Sequence, residues 1–396
     1  MKKTLLSIAT MAVIATGCQQ KNQLTSGIDP ENFDTTARLE DDFYQYACGG
    51  WMAKNPLDAE HSRYGAFDVL SENALKNING IIDSVKVAKN TAGSLEDKIA
   101  TMYNLGMDSA KLQADGVAPL TPYLEEINNV KTSEDVWAEI LRMHKRGNTV
   151  LFGVFGEADK DDAKMCIAWA YQGGLGLGDR DRYVKDEGKN KQFREGYVKL
   201  MEQLFAMSGY DKLSGKSADK LAATVMAFET RLAKAMNTQL ENRNPQGTFN
   251  RYTVEEAATF TPNIDWKGYF AEMNILDGMK SFNIAQPKYF TEINKVMKDT
   301  DVETFKAYFA WQILGATPYL SDDFVQARFD FYGKQISGVE QNRPRWKRVT
   351  GTVEGAMGEA LGKLYVDKYF PAEAKTRMET LVQNLITALG QRIDMA

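Results

Sequence analysis

The sequence predicts a mainly α-helical protein with one small β-hairpin. Apolar residues recur every three or four positions through most of the chain beyond residue 38, which is the spacing of a buried helix face. Two apolar, β-prone runs, 149–155 and 164–170, flank the polar segment 157–162 and predict an antiparallel hairpin. The chain has no fixed repeat period, so the pattern does not favour a solenoid.

The predicted helices follow one another along the chain. Ser94, with Asp97 three residues later, is typical of a capping box and places a helix start at Leu95. An apolar stripe from Met378 to Ile393 predicts a last helix with no Gly or Pro stop signal after it, which is consistent with a chain that continues into further structure. The other predicted helices are 66–86, 95–105, 134–145, 191–207, 218–236, 302–314 and 353–369.

The composition is that of a folded protein with enough residues for two or three domains. The chain has 396 residues, of which 43% are apolar, and it carries 48 Lys and Arg against 53 Asp and Glu. These values exclude a largely disordered chain, a collagen-like fibre and a polytopic membrane protein. The net charge of −5 also argues against a nucleic-acid partner, so we interpret the basic run Arg343–Arg348 as a solvated helix start.

The N-terminus has the layout of an export signal. Two lysines precede the apolar run Leu5–Ala15, which is too short to span a bilayer, and Cys18 follows a glycine at its end. We interpret residues 1–17 as a lipoprotein signal peptide, Cys18 as the lipidation site and residues 18–38 as a flexible tether. The alternative is an ordinary cleaved signal with an incidental cysteine. We therefore expect a lipid-anchored protein of the cell envelope, facing the periplasm or the cell surface.

Spacing alone predicts no catalytic or metal site. A catalytic zinc needs about three protein ligands, whereas His61 and His144 are isolated in the sequence. Asp159–Asp162 lacks the glycine and final glutamate of a calcium loop, so a polar hairpin tip is the better interpretation. Gly174–Gly178 matches neither the dinucleotide fingerprint nor a P-loop, and we expect its glycines to permit tight backbone turns.

A series of longer motifs is more informative. Asp41–Trp51 (DDFYQYACGGW) opens the series and Gly358–Phe370 (GEALGKLYVDKYF) closes it. The motifs between them are 62–68, 172–183, 242–245, 249–252, 264–266, 308–311 and 345–346. In this order they resemble the N-terminal half of the neprilysin family of zinc endopeptidases, which includes bacterial oligopeptidases. The resemblance extends from Asp41 to Ala396.

The resemblance implies the N-terminal lobe of a two-lobe, mainly helical fold that encloses a substrate cavity. Residues 39–66 would be the segment that packs on the catalytic lobe, and residues 67–396 the helical peptidase N-terminal domain. The family's His-Glu-x-x-His motif does not occur in this sequence. Zinc would therefore belong to the full-length family enzyme, and we expect this chain to bind no metal, to hold no catalytic residue and to be inactive alone. Its expected partners are oligopeptide substrates and the catalytic lobe.

The resemblance also implies two substrate-binding residues, Arg63 and Asp68. Without it, they would be interpreted as surface charges. In relatives the matching arginine pairs with the terminal carboxylate of a short peptide, and the matching aspartate lies beside it and holds it. Ser71 stands where animal members often carry a second arginine, so the preference for free carboxyl ends should be weaker.

The resemblance leaves the pairing of Cys48 open. In animal members the matching cysteine forms a disulfide with the catalytic lobe. Here Cys48 is an orphan whose partner is missing, a free thiol, or paired with Cys166. For Cys166 itself, an apolar strand-like neighbourhood favours a buried free thiol.

Two other functions compete with the peptidase interpretation. One is a non-catalytic, peptide-binding lipoprotein. The other is a helical nutrient-binding lipoprotein, which the lack of tetratricopeptide-like repeats disfavours. The downstream nucleotide sequence separates them, because only a peptidase fragment should continue into a frame that encodes His-Glu-x-x-His.

Overall fold

The computed structural model describes residues 27–316 and 319–395, which divide into two units at residue 58. The first unit contains helix α1 (Phe43–Lys54) after a short 3-10 turn at Pro30–Asn32. The side chain of Asp42 caps α1 by accepting the Gln45 N–H at 2.9 Å. A Cβ atom at Gly50 would overlap the backbone of the 3-10 turn, so glycine is needed for this close approach.

The second unit confirms the predicted fold class, because it is mainly helical with a small sheet. Its helices and strands are α2 (Ala66–Val87), α3 (Leu95–Met107), α4 (Ser109–Asp115), α5 (Thr121–Asn128), α6 (Ser133–Lys145), β1 (Phe152–Ala158), β2 (Cys166–Gln172), α7 (Asp181–Val184), α8 (Asn190–Ser208), α9 (Tyr210–Ser214), α10 (Ala218–Ala235), α11 (Gln239–Asn242), β3 (Arg251–Tyr252), α12 (Val254–Phe260), α13 (Trp266–Glu272), β4 (Phe282–Ile284), α14 (Pro287–Asp299), α15 (Val302–Ala316), α16 (Asp322–Arg328), α17 (Arg345–Tyr369) and α18 (Ala372–Met395). A π-helical stretch, Phe329–Ile336, follows α16.

The predicted helices are present, with ends that differ by a few residues. Ser94 caps α3 at the predicted start, since the Asp97 N–H donates to the Ser94 hydroxyl at 3.2 Å. The predicted capping box is incomplete, because the Asp97 carboxylate accepts the Gly93 N–H and not that of Ser94. The helix predicted at 353–369 begins earlier, at Arg345, directly after Pro344. The basic run is thus a helix start, as interpreted, and Arg345 forms an ion pair with Asp322.

The predicted hairpin is also confirmed, and it belongs to a larger sheet. β1 and β2 pair antiparallel with Phe155 opposite Trp169. β4 pairs parallel with β2 and antiparallel with β3, which gives the strand order β1-β2-β4-β3. The sequence did not predict β3 and β4, because strands of two and three residues are too short to show an alternating pattern.

Two hydrophobic clusters dominate the second unit. The larger one surrounds α8, α10 and α15 and contains fully buried aromatic residues such as Trp311 and Tyr197. The smaller one joins α2, α3 and α17. The final helix contributes to neither, because α18 has no buried residue and its predicted apolar stripe is exposed.

Within the described residues, no helix combines the length and the apolar character that crossing a membrane requires.

Candidate functional site

Arg63 and Asp68, the two residues implied to bind substrate, lie on either side of the start of α2. Arg63 is exposed, whereas Asp68 is half-buried in the first helical turn. The Asp68 carboxylate accepts the Gly65 N–H at 2.8 Å, and the Asp68 N–H donates to the Gly65 carbonyl at 3.0 Å. Asp68 therefore caps α2. Among the ion pairs of residues 27–316 and 319–395, none joins Arg63 to Asp68.

A charged cluster fixes the segment that carries Arg63. Lys347 of α17 donates to Glu60 and to Glu72, each at 2.8 Å. Burial opposes the charge of Lys347, but hydrogen bonds to the two carboxylates outweigh it and raise the lysine's pKa. His61 adds to the cluster, with its Nε2 atom 3.7 Å from Glu72. Arg63 thus lies between a half-buried ion-pair cluster and the capped start of α2, and its backbone is held on both sides.

The glycine-rich segment Gly174–Gly178 makes tight backbone turns, as predicted. Gly174 and Gly178 have positive φ angles of 88° and 75°, which favour glycine. A Cβ atom at Gly176 would overlap the hydroxyl group of Tyr197. The Leu177 N–H donates to the Tyr183 hydroxyl at 2.8 Å. The loop therefore packs directly on buried tyrosines.

Beneath this loop lies Glu229 of α10, a fully buried carboxyl group that the sequence analysis missed. The hydroxyl groups of Tyr183 and Tyr197 donate to its Oε2 atom at 2.6 and 3.0 Å, and the Gly176 N–H donates to Oε1 at 3.3 Å. Burial raises the pKa of Glu229 to about 7, although the tyrosine hydrogen bonds oppose the shift. The group therefore changes protonation near neutral pH.

The sequence carried no signal for this arrangement. Tyr183 is 46 residues from Glu229 and Tyr197 is 32 residues away, so no local spacing relates them. The donors that contact Glu229 directly are neutral, which leaves the ionised carboxylate without a partner of opposite charge in this network.

Within the described residues, neither histidine belongs to a metal-binding cluster. In His144, Nε2 lies 2.8 Å from the Val150 carbonyl and Nδ1 lies 2.9 Å from the Tyr269 hydroxyl. Burial lowers the pKa of His144, so its ring is neutral, with Nε2 donating and Nδ1 accepting. Across the part of the chain that the structure describes, no group of three or more His, Cys, Asp or Glu side chains could hold a metal ion.

The cysteines differ from one of our expectations. Cys166 is a free thiol, but it is exposed, so the prediction that it is buried is wrong. Cys166 is the first residue of β2 and is exposed, whereas Ile167, Trp169 and Ala170 further along the same apolar run are buried. Cys48 is a free, half-buried thiol in α1 and is not bonded to Cys166, and a partner in a further lobe stays one of the open alternatives. Cys18 lies outside the described residues.

Comparisons with protein families and curated relatives point to one group of peptidases. The model of peptidase family M13 matches residues 39–396. Human membrane metallo-endopeptidase-like 1 is 25% identical over 390 residues, which cover 92% of this chain and 49% of that protein. Rat endothelin-converting enzyme 1 is 24% identical over 380 residues, covering 91% and 48%. The chain spans about half the length of the curated relatives it matches.

Solved structures give the same grouping. The Mycobacterium tuberculosis zinc metalloprotease Zmp1, in complex with inhibitor, superposes with a TM-score of 0.83 at 28% identity, covering 92% of this chain and 55% of that one. PepO from Lactobacillus rhamnosis superposes with a TM-score of 0.73 over 89% of this chain and 55% of that one. Because PepO is only 18% identical to this chain, this similarity is evidence for the fold alone.

Proposed function

This chain belongs to peptidase family M13, and on that premise we propose that it forms the N-terminal, non-catalytic domain of a zinc metalloendopeptidase that cleaves oligopeptides. The observation that carries the proposal is the family match over residues 39–396. The superposition on the M. tuberculosis zinc metalloprotease supports it. A non-catalytic peptide-binding lipoprotein is not favoured, because two of the similar proteins, human membrane metallo-endopeptidase-like 1 and the M. tuberculosis zinc metalloprotease Zmp1, are named as peptidases.

The described residues do not fit the catalytic zinc of such an enzyme. Both ring nitrogens of His144 lie within hydrogen-bond distance of protein oxygens, and no cluster of metal-ligating side chains accompanies either histidine in the described ranges. In this proposal the zinc and the water that it activates belong to a further lobe with the His-Glu-x-x-His motif, and this chain completes the substrate cavity. No step of the hydrolysis is therefore assigned to its residues.

Arg63 is the residue that we propose to contact substrate. Its exposed guanidinium group can form two parallel hydrogen bonds to the terminal carboxylate of a short peptide. The ion-pair cluster around Lys347 supports this role, because a held backbone lowers the entropy that binding must remove. Asp68 is then a positioning residue, which acts through the Gly65 turn that it caps.

Replacing Arg63 with alanine tests this role in the enzyme assembled from this chain and a catalytic lobe. A hydrogen-bonded charge pair contributes about 1.5–3 kcal/mol, so KM for short peptides with a free C-terminus should rise about tenfold to a hundredfold. Peptides amidated at the C-terminus lack the charge and should be affected much less. Arg243→Ala, at another exposed arginine, is the matched control and should leave both KM values unchanged. Equal losses for free-acid and amidated peptides would show that Arg63 shapes the domain and does not bind the substrate carboxylate.

We also propose that lipid on Cys18 anchors the protein to the cell envelope. The support is the sequence alone, namely the short apolar run followed by a glycine and Cys18.

A further inference from the structure

A groove of about 1070 Å³ lies between the β1–β2 hairpin and the loop 273–281. Neither Arg63 nor Glu229 lines it; of the site residues described above, it is lined by His144, Tyr269 and Cys166. This volume is large enough for a peptide segment. Its sheet side has small side chains, because Gly156 and Ala168 face each other across the two strands. Its loop side is apolar, with Met273, Ile275 and Met279. We call this space the hairpin groove.

The hairpin groove follows an unpaired edge of the sheet. β1 pairs with β2 and, within the described residues, has no strand on its other edge. The Asp159 N–H donates to the Met165 carbonyl at 2.9 Å. Because the ladder alternates, Val154 and Gly156 turn their backbone N–H and C=O groups away from β2. Both residues line the groove, so an extended segment lying there can add to β1 as a further strand.

The rim of the hairpin groove is acidic. Arg251 donates to both carboxylate oxygens of Asp159, at 2.6 and 2.8 Å, and to Asp161 at 2.8 Å. Asp162 and Asp277 are exposed and form no ion pair within the described part of the chain. The complete set of charged lining residues is Asp159, Asp161, Asp162, Asp277, Arg251 and Lys280, which leaves two negative charges in excess. A basic side chain complements this rim, whereas an acidic one is repelled.

We propose that the hairpin groove binds an extended peptide segment that carries a basic side chain. The segment pairs with the backbone of Val154 and Gly156, places apolar side chains against Met273 and Met279, and directs its basic group toward Asp277. Unbranched methionine side chains adapt to different apolar partners, so the site selects strand geometry and charge more than one sequence. This proposal depends on the proposed function in one respect: it takes the bound segment to be part of a peptide substrate.

Binding is measured on the full chain alone, without catalysis. The probe is a fluorescein-labelled octapeptide of alternating valine and lysine. The comparison peptide carries the same label and has glutamate in place of every lysine. We expect the basic peptide to bind and to raise the fluorescence anisotropy, and the acidic peptide to bind at least fivefold more weakly. Bound peptide should also slow the alkylation of Cys166, which lines the groove, while Cys48 provides an internal reference in the same mass spectrum.

A matched pair of variants locates the peptide. Gly156→Val fills the sheet side of the groove, and its Cβ atom has room, 3.4 Å from the Cys166 sulfur. Gly153→Val places the same side chain on the opposite face of β1, where no atom lies within 4 Å. Valine favours strands, so both hairpins should fold. We expect Gly156→Val to weaken peptide binding at least tenfold and Gly153→Val to leave it unchanged. Asp277→Asn should weaken binding about threefold, because it removes one exposed ion pair with the peptide.

Several results would overturn the proposal. They are equal binding of the acidic peptide, equal effects of the two glycine variants, and unprotected Cys166. A dimer that Gly156→Val disperses, with no peptide bound, would mean that a second copy of the chain occupies the edge of β1. None of these results affects the Arg63 experiment, which measures the KM of short free-acid peptides. The two proposals can therefore be refuted independently.

Discussion

Replacing Glu229 with glutamine should change how the stability of the protein depends on pH. The wild-type carboxyl group is fully buried and accepts hydrogen bonds from Tyr183, Tyr197 and Gly176. Glutamine keeps the size and the carbonyl acceptor but carries no charge at any pH. The substitution therefore removes the ionisation of this side chain while keeping most of its packing.

The magnitude follows from the pKa of Glu229, which burial raises from 4.5 to about 7. Between these two values the folded state holds a proton that the unfolded state has lost. The free energy of unfolding therefore falls as pH rises, by about 1.4 kcal/mol per pH unit. The stabilisation from this group is fully present below pH ~4.5 and is lost as pH rises through about 7, for a total of about 3 kcal/mol.

Urea unfolding of the full chain at pH 5, 6, 7 and 8 measures the effect. The useful quantity is the difference in unfolding free energy between wild type and Glu229→Gln, because contributions from other groups cancel. His144 makes such a contribution, in the opposite direction to Glu229. Because its pKa is lowered in the folded state, it makes the protein more stable as pH rises. We expect wild type to lose about 2.5 kcal/mol relative to the variant between pH 5 and pH 8, because part of the stabilisation is already lost at pH 5.

Glu195→Gln makes the same substitution at an exposed position of α8 and is the matched control for replacing a carboxyl group with an amide. A constant difference between wild type and Glu229→Gln would refute the reasoning. It would mean that Glu229 has the same pKa in both states, and that the tyrosine hydrogen bonds fully offset burial.

Two further predictions concern the N-terminus and the glycine-rich loop. Cys18→Ala should remove the acylation site and release the protein from the envelope fraction, and retention after a high-salt wash would show that lipid is not the anchor. Gly176→Ala places a Cβ atom on the Tyr197 hydroxyl and should lower the free energy of unfolding by about 1–3 kcal/mol. Gly362→Ala, in open space on α17, should instead raise it by up to about 1 kcal/mol, and both are measured by urea unfolding.

Local features of the fold could be predicted from the sequence, and long-range ones could not. The apolar spacing of α2 and the Ser94 cap of α3 depend on residues within one or two helical turns. The parallel pairing of Trp169 with Asn283 joins segments more than a hundred residues apart, and its strand has three residues. The burial of Cys166 was predicted wrongly for a related reason, because an apolar run does not tell which of its residues extend past the core.

The contrast between local and long-range contacts also applies to two completely buried glutamates, Glu139 and Glu229. Each lies on the apolar face of a helix, Glu139 in α6 and Glu229 in α10. Glu139 receives a hydrogen bond from Arg142 Nε at 2.9 Å, and this partner is three residues away, so the i,i+3 spacing makes it visible in the sequence.

The hydrogen-bond donors to Glu229 are neutral and come from distant parts of the chain, so its sequence neighbourhood resembles that of any core helix. Hydroxyl groups compensate a buried carboxylate only in part, so burial raises the pKa of Glu229 to about 7. The raised pKa of Glu229 therefore depends on an environment that only the folded chain brings together, and the sequence could not have predicted it.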